Sequence, residues 1–390
     1  MKESQLSISP GYTTGNKVKL VHSGKDFFDT LLNIIAEAKA SLFLQFYIFL
    51  DDETGAAVIE SLKAAATRKV SVYLHIDSYA SKELSSTCIK EMRDKGINVK
   101  LFEPLLRSKH FYFGRRLHHK VVVADGIYSL VGGINICNRY NDMPDQPAWL
   151  DMALYCEGEA SINVETICSN MWRGREVRVF ATNKKVEAKI STSEKISVRA
   201  CRNDWVKGKK EIWNSYLEMF SKAERTITIM CSYFLPGRLF RRKIKAAVKR
   251  GVKVQLILAG SSDVMLAKHA ERYLYDWMLR NNITIYEYTE TVLHAKMAVY
   301  DSSWVTIGSY NVNGLSAHAS LEMNMAVSNL AFAVTAEKEL QEIIQMHCKQ
   351  VTKENYSSST TILRKFWQWV CYNIINKMLF AVTFYFKQEK

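Results

Sequence analysis

Two histidines of this chain stand in the same short context in two different places. One lies in LHHKVVVADGIYSLVGGIN and the other in LHAKMAVYDSSWVTIGSYN. Both follow the pattern H-x-K-x4-D-x6-G-[GS]-x-N. The first copy is His118, Lys120, Asp125, Gly132, Gly133 and Asn135, and the second is His294, Lys296, Asp301, Gly308, Ser309 and Asn311. A lone H-x-K carries no weight, but the whole spacing met twice is hard to reach by accident. Alternate residues of a strand face one side, so each histidine projects together with its lysine. The runs VVV and MAV then supply buried strand, and Asp125 and Asp301 fall where that strand ends in a turn. That place favours holding a loop together over taking part in chemistry. Gly133 and Ser309 are small enough to let backbone approach a ligand. Asn135 and Asn311 offer neutral donors beside them.

Were the two copies to meet about a pseudo-twofold axis, one pocket would collect two histidines, two lysines and two asparagines. Lysine charges and asparagine amides suit the oxygens of a phosphoryl group in its transition state. One neutral histidine can attack phosphorus and the other, protonated, can give its proton to the leaving oxygen. Phosphoryl transfer commonly relies on Mg²⁺. Fixed lysines can serve in its stead, so neither a metal nor another cofactor is required. A histidine in such a role needs a partner on its other ring nitrogen. Each half has a candidate acid downstream of its histidine, Asp151 in PAWLDMAL and Glu322 in ASLEMN. His119 has Ala295 opposite it in the repeat and reads as structural or solvent-facing. Asp77 and Asp263 end or follow strands and read as turn formers.

The elements around the motifs repeat as well. The apolar runs SLFLQFYIF (41–49) and TITIMCSYF (226–234) read as buried strands. Each is followed by a helical stretch, the strands 70–77 and 252–260, helices near 82–95 and 264–281, and the strands 97–103 and 283–288. This alternation predicts two similar α/β domains, each a mixed, mainly parallel sheet flanked by helices, with the active site at the interface between them. The first half has about ten extra residues before its motif, in the basic and aromatic segment 103–116. Such an insertion reads as a surface loop, either simply solvated or in contact with phosphate or membrane. The polar stretch 181–196 reads as a connection. The domains are placed at 1–186 and 187–356, with a tail at 357–390.

These residues resemble the phospholipase D superfamily and, within it, the bacterial cardiolipin synthases, over most of residues 17–330. The paired motifs carry the resemblance, together with WLD at 149–151 and SLEMN at 320–324. It implies a phosphatidyl transfer through a phospho-histidine to the hydroxyl of phosphatidylglycerol. By position it puts nucleophile and general acid on His118 and His294, phosphate binding on Lys120, Lys296, Asn135 and Asn311, and orientation on Asp151 and Glu322. The segment VNGLSAHAS after the second asparagine departs from the arginine-serine pair of familiar members, and the two spanning helices that open many of these synthases are missing. The chain thus looks like a shorter class. A phospholipase D-type hydrolase of phospholipids is the alternative reading, and a nuclease of the same superfamily a more remote one.

The 390 residues include 53 basic and 39 acidic ones, a formal charge of +14. That excess suits an anionic partner. Eight scattered cysteines without a CxxC pair or a secretion signal suggest a reducing compartment. The end of the chain, KFWQWVCYNIINKMLFAVTFYFK, segregates Gln368, Asn373, Asn376 and Lys377 from Trp367, Val370, Ile374, Met378, Ala381 and Tyr385 at helical spacing. It reads as an amphipathic helix lying in a membrane interface, with packing on the domain core as the alternative. The expectation is therefore a peripheral enzyme on the cytoplasmic face of the cell membrane, acting on phospholipids at an anionic surface, with no nucleic acid as partner.

Overall fold

The computed structural model describes residues 11–103, 115–174, 194–318 and 320–385. The first half runs β1 (Asn16–His22), α1 (Lys25–Glu37), β2 (Ser41–Phe46), α2 (Glu53–Thr67), β3 (Ser71–Asp77), α3 (Ser86–Asp94), β4 (Asn98–Phe102), β5 (Arg116–Leu117), β6 (Lys120–Ala124), β7 (Tyr128–Gly132), β8 (Met152–Gly158) and α4 (Glu159–Arg173). The second half runs β9 (Ser197–Asp204), β10 (Lys209–Lys210), α5 (Glu211–Lys222), β11 (Thr226–Cys231), α6 (Arg238–Lys249), β12 (Lys253–Ala259), α7 (Met265–Tyr273), α8 (Tyr275–Arg280), β13 (Thr284–Tyr288), β14 (Lys296–Tyr300), β15 (Trp304–Gly308), α9 (Gly314–His318), β16 (Ser320–Ser328), α10 (Leu330–His347) and β17 (Cys348–Val351). Two helices close the chain, α11 (Lys353–Ser359) and α12 (Ile362–Tyr385).

Each half builds one mixed sheet, in the orders β1-β8-β7-β6-β2-β3-β4 and β10-β9-β16-β15-β14-β11-β12-β13-β17. The expected repeat of mixed sheets and helices is therefore present, but the sheets are not mainly parallel. In the first, β2-β3 and β3-β4 are parallel, whereas β1-β8, β8-β7, β7-β6 and β6-β2 are antiparallel. The reason is local. Helical crossovers after β2 and β3 enforce parallel neighbours, while the motif strands are joined by three-residue connections that permit only antiparallel pairing. In those turns Asp125 and Gly126 both have positive φ, as do Asp301 and Ser302. The closing bonds, Ile127 N to Ala124 O and Ser303 N to Tyr300 O, complete hairpin turns whose twist suits the strands.

The motif strands are buried on both faces. Val122 and Ala124 join the core of the first half, while Val121 and Val123 face the second half, where they meet Met297, Val299 and Ile307. This shared core explains why VVV and MAV do not alternate with polar residues. At about 1.5–3 kcal/mol per fully buried aliphatic side chain, it welds the two halves into one body. The insertion 103–116 and the connection 181–196 lie largely outside the described residues.

Candidate active site

The two halves exchange their acids. His118 Nδ1 lies 2.9 Å from Glu322 Oε2, and His294 Nδ1 lies 2.6 Å from Asp151 Oδ2. Reading along the chain places each acid after the histidine of its own half, but in space each orients the histidine of the other. The backbone builds the exchange. Leu117 pairs with Leu321 where β5 runs beside β16, and Leu150 pairs with Leu293 in a matching bridge. His118 N donates to Leu321 O at 3.0 Å and His294 N to Leu150 O at 2.7 Å. A Leu-His dipeptide thus lies against a Leu-acid dipeptide twice. That both acids, like both histidines, follow a leucine was the signal available in the sequence.

Both carboxylates are fully buried. Asp151 Oδ1 takes the Met152 N–H at 2.7 Å, and Glu322 takes the Ser309 hydroxyl as well as His118. Gly133 stands where Ser309 stands in the other half. A Cβ there would run into the Asp151 carboxylate, so the shorter acid and the glycine go together. With Nδ1 committed to a carboxylate, Nε2 of each ring is the nitrogen left for chemistry. Tyr47 packs edge-on against His118 at 4.9 Å and Tyr140 against His294 at 5.3 Å, holding the ring planes.

Lys120 and Lys296 are both buried. Lys120 Nζ donates to His118 O at 2.9 Å and lies 5.0 Å from the Tyr47 ring, and Lys296 Nζ donates to His294 O and, at 2.9 Å, to Ser232 Oγ. Burial drives the Lys120 ammonium down to about 7, against the pull of Glu322. Lys296 is lowered for the same reason, with Asp151 opposing. Burial also holds His118 and His294 below the ordinary histidine value. Their acids oppose the shift, and the lysines reinforce it. These are four cation-forming groups close enough to disfavour one another's charge in a largely buried site, an arrangement that suits an anionic ligand.

The remaining sequence-singled residues divide. Asn135 is buried, accepts from Ile48 N at 3.0 Å and donates to Tyr140 OH at 3.0 Å, and so braces the ring beside His294. Asn311 is buried and receives the Cys231 thiol at 3.5 Å. Asp125 and Asp301 lie at the far ends of β6 and β14, roughly 17 Å of strand from the lysines. Asp125 accepts the N–H groups of Lys39, Ala40 and Ser41, and Asp301 those of Glu224, Arg225 and Thr226, each at 2.8 Å. They staple a helix-to-strand loop, as their place in the pattern implied. His119 is buried, with Nδ1 2.7 Å from Gln45 Oε1, and is held near 3 by burial, so it is structural. Asp77 accepts from Tyr79, Ala80 and Leu117 N–H groups and fixes the strand that leads to His118. Among the described residues no His, Cys, Asp and Glu cluster could hold a metal ion.

A twofold repeat that presents a histidine and a lysine from each half to one pocket defines a phospholipase D-like protein. Residues 31–147 and 216–344 match the family described as cardiolipin synthase, PLD-like domain. The chain is 30% identical over 348 residues to cardiolipin synthase B of Salmonella typhi, covering 87% of this chain and 83% of that protein. It is 28% identical over 344 residues to cardiolipin synthase B of Escherichia coli K12, covering 86% and 82%. The fold resembles that of phosphatidylserine synthase of Haemophilus influenzae, with a TM-score of 0.72 at 13% identity over 96% of both chains. This chain belongs to the cardiolipin synthase-like family of the phospholipase D superfamily and is a phosphotransferase.

Proposed function

We propose that this enzyme moves a phosphatidyl group from one phospholipid to the glycerol hydroxyl of phosphatidylglycerol, through a phosphatidyl-histidine. One observation carries the reading: the crossed pairs His118–Glu322 and His294–Asp151, which orient two imidazoles toward one pocket. In the first step Nε2 of one histidine forms a bond to phosphorus. The P–O bond to the headgroup breaks, and the departing oxygen takes the proton of the other histidine. In the second step the acceptor hydroxyl returns its proton to that histidine, and its oxygen displaces the first histidine from phosphorus. Lys120 and Lys296 sit where the charge on the phosphoryl oxygens is met by fixed cations in a dry site. The phospholipid substrates, the similarity to named cardiolipin synthases and the basic chain support action at an anionic membrane surface; the scattered cysteines, which suit a reducing compartment, favour its cytoplasmic face.

Incubating the purified protein with vesicles containing labelled phosphatidylglycerol tests this. Diphosphatidylglycerol with release of glycerol is expected. Phosphatidic acid as the sole product would make the enzyme a hydrolase, and no product would refute the substrate.

A further inference from the structure

The closing helix α12 is no loose tail. Its Gln368 and Cys371 are buried, Gln368 Oε1 accepts from Tyr356 OH at 3.0 Å, and Tyr372 packs on Tyr273 of α7 at 4.8 Å. Lys365 reaches Asp276 at 3.7 Å, and α12 also touches α9. The side that docks thus includes one of the polar residues, Gln368. The apolar side faces outward: Leu363 is 81% exposed, Phe366 60%, Trp367 50%, Ile374 39% and Met378 59%. At the start of α7, against which α12 lies, Val264 and Met265 are exposed as well.

We infer that the outer side of α12 together with Val264 and Met265 forms one rigid facet that lies in the interface of an anionic lipid bilayer and brings the pocket to the lipid. The inference rests on the proposed lipid substrate and specifies how that substrate is reached. Three observations point to lipid as the occupant. Large apolar side chains left in water on one continuous side need a cover. From Ile362 to Tyr385 the helix carries Arg364, Lys365 and Lys377 and no acidic residue. This is the charge that an anionic surface attracts, whereas a second copy, itself at +14, is repelled. Aromatic rings flanked by cations also fit the headgroup boundary. No helix among the described residues is long and apolar enough to cross a membrane, so α12 lies on it.

The facet adjoins the pocket on two sides. Val264 follows Asp263, which accepts from Tyr233 OH, and Tyr233 neighbours Ser232, the partner of Lys296. Helix α9, which α12 touches, begins three residues after Asn311. A lipid headgroup lifted slightly from the bilayer would therefore meet the site without crossing bulk water.

The test uses the full chain with Phe366→Ser, Trp367→Ser and Met378→Ser combined, and separately Val264→Ser with Met265→Ser. These changes leave the docked side of α12 intact, and the thermal midpoint confirms folding. Cosedimentation with vesicles of phosphatidylglycerol and phosphatidylcholine should weaken by about tenfold or more for the triple variant, and by less for the pair. Turnover of short-chain, detergent-dispersed phosphatidylglycerol should stay within about twofold of the parent, as none of the five substituted residues is a histidine, lysine or acid of the site. Unchanged vesicle binding would overturn the inference. So would a concentration-dependent dimer of the parent that the triple variant abolishes, since the facet would then be a contact between copies. Absence of turnover by the parent in detergent would instead strike the proposed substrate and leave the vesicle result standing.

Discussion

Lys120 condenses the problem this pocket solves at the residue scale. A buried ammonium beside a second lysine and two histidines is costly to the fold, and in the proposed reaction a phosphodiester anion completes the charge balance. Lys120→Met should lower kcat/KM by about 10²–10³-fold, as loss of an electrostatic stabiliser does. The same change should leave the thermal midpoint at pH 7 unchanged or raised, because a strained charge is removed. A large fall in the midpoint would show Lys120 to be a structural cation instead. The pH dependence follows from the direction of the shift. With its protonation held at about 7 in the free enzyme, Lys120 loses charge above that pH, and kcat/KM should decline on the alkaline side. Bound anion restores the lysine, so the matching limb of kcat should lie at higher pH. Coincident limbs would contradict this.

The element that places this chemistry is the hairpin β6-β7 and its counterpart β14-β15. The sequence showed the first strand of each and the turn at its aspartate, and the structure gives both aspartates positive φ. The strands' burial on both faces, and the parallel β2-β3-β4 and β11-β12-β13 units, follow from apolar runs joined by helices. The antiparallel majority was harder to foresee. A tight turn such as Asp301-Ser302-Ser303 resembles many loop sequences, and β1 begins in a polar stretch whose neighbouring strand, β8, lies far along the chain. Because Asp125 ties three N–H groups of the loop before β2, Asp125→Ala should cost about 2 kcal/mol of stability. Activity per folded molecule should be retained, and so with Asp301→Ala. Loss of turnover at unchanged stability would give the aspartates a role in chemistry that their distance from the pocket opposes.

Over the whole molecule, the repeat is a means of building one site from two incomplete ones. Neither half holds a histidine together with the acid that orients it, since Glu322 serves His118 and Asp151 serves His294. The identities of all four residues could be read from their types and apolar surroundings. Their crossed pairing could not, because it depends on strands β5 and β16 meeting across the interface, a contact that leaves no periodicity in the sequence. The closing helix behaves similarly. Its amphipathic character was legible, but which side docks was decided by Tyr356 OH donating to Gln368 and by Tyr372 packing on Tyr273. Hence the part of the chain that pointed to a membrane is fixed on the domain.

The central claim, that a histidine of this shared site carries the phosphatidyl group, is tested most directly by rapid acid-free quenching of the enzyme with phosphorus-labelled phosphatidylglycerol and mapping the labelled peptide. An alkali-stable, acid-labile label on His118 or His294 is predicted, formed as fast as turnover and lost on replacing that histidine by alanine, with turnover abolished by either replacement. Product formation without a histidine-linked label, or a label that survives both replacements, would contradict it.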